Sequence, residues 1–354
     1  MTKLVLSTGN VMSSGPSVIR KSGTGNRSNL ELLNSLRDNF SEAKRDYAAA
    51  SHGTTSTSTS TSTSTTNGAM VNGDGSTDSP NGGGGGDGTH HSGTSTPPTP
   101  VELWTAREEK VVYVPRINWQ AAGLRDDANQ YEITVKLFLL RPGTSVAERA
   151  QYVSEALALV EKELGTRTID LLVASFPGVS FEGSCEWEAD KKNAQQGNLH
   201  EELATWAIFE RLHREGIAKR LGVAEFGSEK LSAFVERASV PPVVDQISLH
   251  DCCSVPPPLK QLAESHGIEL NVHRDCTDIL PRGTLRELLG PGTRGANVLA
   301  DEETSGRGQE EGGASSGLRG DLVPQWVVRY MAFVRDRGVI ENKGYFAGAD
   351  LVED

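Results

Sequence analysis

A chain of 354 residues has the length for one large or two ordinary domains, but its 38 glycines and long Ser/Thr tracts reduce the part able to bury a core, so one domain is expected. A formal net charge of −12 excludes attraction of the bulk field to nucleic acid or to an anionic membrane, since both repel an acidic surface. No apolar run reaches membrane-spanning length and the opening residues are too short a run for a secretory signal, while four cysteines, two of them adjacent, fit a reducing compartment better than a disulfide framework; a soluble, cytoplasmic protein is expected.

Leu4-Val5-Leu6-Ser7-Thr8-Gly9-Asn10 reads as a short strand ending in a glycine turn. Ser28 or Asn29 then caps a helix to about Arg45, carried by Leu30, Leu33, Leu36 and Phe40. From residue 48 to residue 100 the composition collapses into Ser-Thr repeats and an unbroken glycine run, which offer too little apolar surface to offset the entropy of ordering, so a disordered insertion is expected. No Lys-Ser/Thr follows the glycines, as phosphate binding would require.

Val111–Pro115 and Tyr131–Leu139 have strand character, the second enclosing Lys136. Val146, Ala150, Val153, Ala156, Leu157, Val160 and Leu164 mark one face of a helix, and the apolar run Thr168–Pro177 is a buried parallel strand with Ser175 at its carboxyl end. A helix over Leu203–Arg214, a strand over Ile217–Ala224, a helix capped by Ser228, a strand over Pro242–Leu249, a short helix to His266 and a strand over Gly267–His273 continue the alternation. Residues 290–320 form a second Gly/Ser/Glu-rich insertion, and Trp326–Arg337 is expected as a helix after Pro324, with Gly338-Val339-Ile340 ending the ordered chain. About eight strand candidates favour an α/β fold of the (β/α)8 TIM-barrel type over a doubly wound sheet. The expected parts are residues 1–47 as the opening strand and helix, 48–100 as the first insertion, 101–289 as the main barrel, 290–320 as the second insertion and 321–354 as the last helix and tail.

On these residues the chain resembles the regulatory (modifier, or light) subunit of glutamate–cysteine ligase, which acts in the first step of glutathione synthesis. The resemblance is carried by Leu6-Ser7-Thr8-Gly9-Asn10, Lys136-Leu137-Phe138, Asp170–Pro177, Ile217–Phe226, the Gln246–Leu259 stretch with Cys252-Cys253, and Tyr330–Tyr345 with Lys343-Gly344-Tyr345. That family is in turn similar to the aldo-keto reductases, whose (β/α)8 barrel agrees with the pattern above. The resemblance implies a heterodimer with the catalytic subunit, better use of glutamate, relief of feedback inhibition by glutathione, and no cofactor.

Aldo-keto reductases carry an Asp, Tyr, Lys and His tetrad in which the tyrosine donates a proton and its neighbours tune it. Lys136 matches the lysine and Ser175 stands where the histidine would be, so both are vestigial positions; the Asp and Tyr have no counterpart, Tyr113 being the nearby strand tyrosine in different surroundings. Lys136 alone runs no reductase chemistry, and its plain alternative is an ion-paired strand lysine. An NADPH-dependent aldo-keto reductase is the competing reading.

The remaining chemistry is that of thiols. A zinc site from His250, one of Cys252 and Cys253, His273 and Cys276 is disfavoured, because adjacent cysteines chelate one tetrahedral ion poorly and no Cys-x-x-Cys is present, so no metal is expected. Cys252, Cys253 and Cys185 are instead candidates for redox response or partner contact. Trp187, in a polar loop, fits a core residue or an interface anchor alike. Pro256 and Pro257 stiffen the turn after the cysteine pair, and a stiff loop loses little entropy on docking. Replacing Cys252 and Cys253 together with serine is expected to weaken association with the ligase subunit, or to abolish its redox sensitivity, with thermal stability largely kept. A variant that loses its fold, yet binds normally when folded, would put both cysteines in the core.

Overall fold

The computed structural model describes residues 2–12, 27–52, 100–249, 254–273, 275, 278–292, 295–300 and 317–352. In chain order the elements are β1 (Thr2–Ser7), α1 (Arg27–His52), α2 (Val101–Trp104), β2 (Ala106–Glu108), β3 (Val111–Val114), β4 (Tyr131–Leu139), α3 (Val146–Leu164), β5 (Ile169–Ser175), α4 (Glu186–Asn193), α5 (Leu199–Arg214), β6 (Ala218–Ala224), α6 (Ser228–Val235), β7 (Val244–Ser248), α7 (Pro257–His266), β8 (Glu269–His273), α8 (Thr284–Leu289), β9 (Asp321–Val334) and β10 (Val339–Val352).

The central run follows the sequence closely. Ser145 accepts from the Glu148 amide at 3.2 Å while its own amide donates to Glu148 Oε2 at 2.9 Å, a capping box that starts α3, and Gly165, at φ 68°, ends it in the left-handed conformation that glycine adopts without strain. Strands β4 to β8 pair in parallel, with α3, α5, α6 and α7 as the connecting helices. The α/β class and its parallel run are as expected. A ring closed on itself is not present among the described ladders: the ten strands run β2-β3-β1-β10-β9-β4-β5-β6-β7-β8, with β2 and β8 at the two ends. A long antiparallel hairpin, β9 and β10, enters between β1 and β4.

That hairpin corrects the expectation of a helix over Trp326–Arg337 and of an ordered chain ending near Ile340. In β9, Trp326, Val328, Tyr330, Ala332 and Val334 pack into one core with α3, while Val327 turns to the other face, the two-residue period of a strand. Valine-rich sequence favours that state. The turn is made by Arg335-Asp336-Arg337-Gly338, Gly338 standing at φ 66°.

Other boundaries shift for local reasons. α1 runs on to His52 through Ala48-Ala49-Ala50, strong helix formers, and buries Leu32, Leu36 and Phe40, whereas Leu30 is 40% exposed. Residues 53–99, the body of the expected first insertion, lie outside the described residues, as do 301–316 in the second. The edges of that second segment are packed: Val298 and Leu299 are buried, and Leu299 bridges to Leu318. α1 and α8 cover the β1, β10 and β9 end of the sheet on the face opposite α3, around Leu4, Leu6, Phe138, Val327 and Tyr345.

Two glycines let the hairpin close under aromatic rings. Gly344 pairs with Tyr330 and Gly348 with Trp326, and a Cβ on Gly348 would fall 2.5 Å from the indole nitrogen; one on Gly344 would fall 2.5 Å from the Gly9 carbonyl oxygen. Gly344→Ala and Gly348→Ala are each expected to cost about 1–3 kcal/mol by overpacking, read as a lower midpoint in urea unfolding. Unchanged midpoints would mean that the rings move aside freely.

Candidate functional site

Register builds the site. Lys136 on β4 lies opposite Arg329 on β9, which lies opposite Tyr345 on β10, so three long polar side chains form a cross-strand row on one face. Asp275, just beyond β8, closes over that row: Lys136 Nζ donates to its Oδ2 at 3.0 Å, and Arg329 donates to its Oδ1. Lys136 is 1% exposed and Asp275 8%. Tyr345 donates through its hydroxyl to Glu31 Oε1 at 2.7 Å, and Lys343 meets the same carboxylate at 2.6 Å, so the charges alternate in sign from β8 through the sheet to α1.

Burial dominates the titration of these groups. It lowers the Lys136 ammonium, which Asp275 supports and Arg329 opposes. Burial alone would raise the Asp275 carboxyl, but the charges of Lys136 and Arg329 outweigh it and hold the group well below the usual carboxylate range. Burial and the bond to Glu31 push the Tyr345 phenol well up, although the charge of Arg329 draws it down.

A second cluster adjoins the first at the carboxyl ends of β6, β7 and β8. Glu225 has φ 66°, unusual for a residue with a side chain, and is 2% exposed. Its Oε2 accepts from the amides of Phe181 at 2.8 Å and Ser248 at 3.4 Å, its carbonyl accepts from Asn193, and its Oε1 lies 2.8 Å from His273 Nε2. His273 Nδ1 accepts from the Asp275 amide at 2.9 Å, which leaves the ring proton on Nε2, 3.0 Å from the Gln246 carbonyl oxygen. Asp245, fully buried on β7, has one carboxylate oxygen without a partner, and burial raises its carboxyl well above the usual range.

Of the residues singled out in the sequence, Lys136 is the ion-paired strand lysine. Ser175 is buried at the end of β5, in register with Phe138. Tyr113 titrates against Glu108 and Glu155, neither of them a partner of Lys136. Cys185 is an exposed free thiol just before α4, whose first turn holds Glu186 and Glu188. Pro256 is buried and precedes α7, and Pro257 is exposed at its first position. His250, Cys252, Cys253 and Cys276 lie outside the described residues. Among the described residues no group of three or more His, Cys, Asp or Glu could hold a metal ion, and no helix is long and apolar enough to cross a membrane. Asp275, Arg329 and Glu225 escaped the sequence reading. Arg329 was masked by the helical assignment of its segment, and Asp275 follows a short strand with nothing local to mark its partners.

Parallel strands alternating with helices, with polar groups gathered at strand carboxyl ends, define an α/β protein, and residues 118–284 match the model of the Aldo/keto reductase family. The chain is similar to regulatory subunits of glutamate–cysteine ligase: the putative one of Schizosaccharomyces pombe is 24% identical over 68% of this chain and 79% of that protein, and the one of Mus musculus is 24% identical over 63% and 68%. The solved aldo-keto reductase MGS-M4 from a Medee basin deep-sea metagenome library is 24% identical and overlaps 39% of this chain and 42% of its own, at a TM-score of 0.29.

Asp275→Asn leaves the buried Lys136 ammonium and the half-buried Arg329 guanidinium without their counter-ion and is expected to cost about 3–5 kcal/mol near neutral pH. The folded carboxyl titrates below its unfolded value of about 3.9, so its contribution is complete above that pH and fades as pH falls through it. Chemical unfolding of wild type and variant should therefore show a gap that is steady near neutrality and narrows below about pH 4. A gap independent of pH would remove the ionised Asp275 from the account.

Proposed function

We propose that this chain is the regulatory subunit of glutamate–cysteine ligase, a cytoplasmic protein without catalysis of its own that binds the catalytic subunit as a heterodimer. In that role it improves the partner's use of glutamate and relieves feedback inhibition by glutathione. The observation that carries the proposal is the similarity to glutamate–cysteine ligase regulatory subunits over 63–68% of the chain.

The chemistry of the site supports it. Where a reductase keeps its histidine, Ser175 at the end of the strand adjoining Lys136 holds no titratable proton. Lys136 and Arg329, the two cations of the site, both engage the single carboxylate of Asp275. A regulator acts by binding one state of its partner more tightly than another, and linkage bounds the effect by that difference. Lost catalytic groups are no handicap to such work.

Co-purification with the catalytic subunit, followed by glutamate saturation and glutathione inhibition curves with and without this chain, tests the role. A stable complex, a lower KM for glutamate and weaker inhibition by glutathione are expected. Unchanged curves despite a stable complex would remove the regulatory role, and tight NADPH binding with turnover of a generic aldehyde would replace it with reductase activity.

A further inference from the structure

Between β5 and α5 the chain builds an element that contributes little to the core. α4 is eight residues long, far below the length at which an isolated helix persists in water, and it buries only Ala189 and Asn193. It is nevertheless fixed by side-chain hydrogen bonds at its carboxyl half. Asn193 Nδ2 donates to the carbonyls of Ser180 at 2.8 Å and Glu225 at 2.6 Å, and its Oδ1 accepts from the Gly227 amide at 2.6 Å. Asp190 accepts from the amide and the hydroxyl of Ser228 at 2.6 and 2.5 Å.

Two glycines permit the close fit. A Cβ on Gly183 would stand 2.9 Å from Ala189 Cα, and one on Gly227 would stand 3.0 Å from Asn193 Oδ1. The rigidity therefore serves what α4 displays. That is Trp187, the most exposed tryptophan or phenylalanine among the large hydrophobics of the described surface, at 56%. An indole held in water on a fixed backbone has little entropy left to lose on docking, and tryptophan is among the residue types that dominate interface energies.

The flanking charge indicates what covers it. Glu186, next to Trp187 in the chain, and Glu182, in the loop before α4, have no ion-pair partner among the described residues, whereas Glu188 is already paired with Lys192. Lys191, one turn on, leaves the patch net acidic. A two-fold contact of this surface with its copy would set one acidic patch against another, on a chain whose net charge is already −12. A basic-rimmed partner suffers no such repulsion.

We infer that Trp187 is an anchor for the catalytic subunit of glutamate–cysteine ligase, entering an apolar pocket on that subunit rimmed by Lys or Arg side chains that meet Glu182 and Glu186. The inference rests on the regulatory role proposed above and adds the surface that carries it. The test titrates full-length wild type, Trp187→Ala, Trp187→Phe and Glu182→Lys/Glu186→Lys chains against the purified catalytic subunit at low and high salt, with thermal unfolding and sedimentation of each chain alone. Expected are a loss of affinity of about tenfold or more for Trp187→Ala with an unchanged unfolding midpoint, substantial retention by Trp187→Phe, and slower, less salt-sensitive association for the charge-reversed chain. A wild-type complex that Trp187→Ala matches in affinity overturns the anchor and leaves the regulatory role standing. No wild-type complex at all overturns the role itself, and a self-association of wild type that Trp187→Ala abolishes would assign the surface to a second copy instead.

Discussion

A single buried carboxylate, Asp275, sets the terms for the middle of this protein. It pairs with both Lys136 and Arg329 across two adjacent strands, and the buried Lys136 ammonium would cost several kcal/mol to desolvate without it. Because Lys136 and Arg329 face each other in register, a slip of one residue along β9 would send the guanidinium to the opposite face and leave a charge stranded in an apolar core. The ion pairs therefore select the register as much as they contribute stability. Tyr345, Glu31 and Lys343 extend the same logic to α1, which is held to the sheet by polar bonds as well as by Leu32, Leu36 and Phe40.

Glu225 plays the corresponding part at the carboxyl ends of β5 to β8. Its backbone lies in a region that costs a residue with a side chain about 1–3 kcal/mol, and bonds to Phe181, Ser248 and Asn193 hold it there. The loop after β5, the end of β7 and the helix α4 are thus referred to one point. In a protein whose proposed work is to present a shape to another subunit, such convergence replaces the open, proton-moving arrangement that an enzyme keeps at this end of its strands.

Much of this was legible in the sequence where periodicity is strong. β4, α3 and β5 follow from unbroken patterns, and Lys136 was recognisable as an anomaly because a lysine interrupts an apolar strand. Its partners were not, since Asp275 stands 139 residues away and only the fold joins them. α4 and α8 were missed because short polar segments carry almost no periodic signal, and α4 exists through contacts made by Asp190 and Asn193 rather than through propensity. β9 was misread because Val327-Val328-Arg329-Tyr330-Met331-Ala332 satisfies helical and strand spacing about equally until its pairing with β10 is known. Trp187 illustrates the opposite limit: its type and loop were visible, and its side was decided only by the pinning of the helix that bears it.

The position of the β9–β10 hairpin also governs the order in which the sheet can be assembled. β1 and β3 pair with each other, and β4 to β8 form a continuous parallel run, but the two groups meet only through strands contributed by residues 321–352. During synthesis from the amino terminus, the first group therefore waits with an open edge on β1 while every intervening helix is made, and β4 waits likewise on its own free side. The strands that join the two groups are the last of the sheet to be made, so their pairing is of high contact order and edges stay unpaired until it forms.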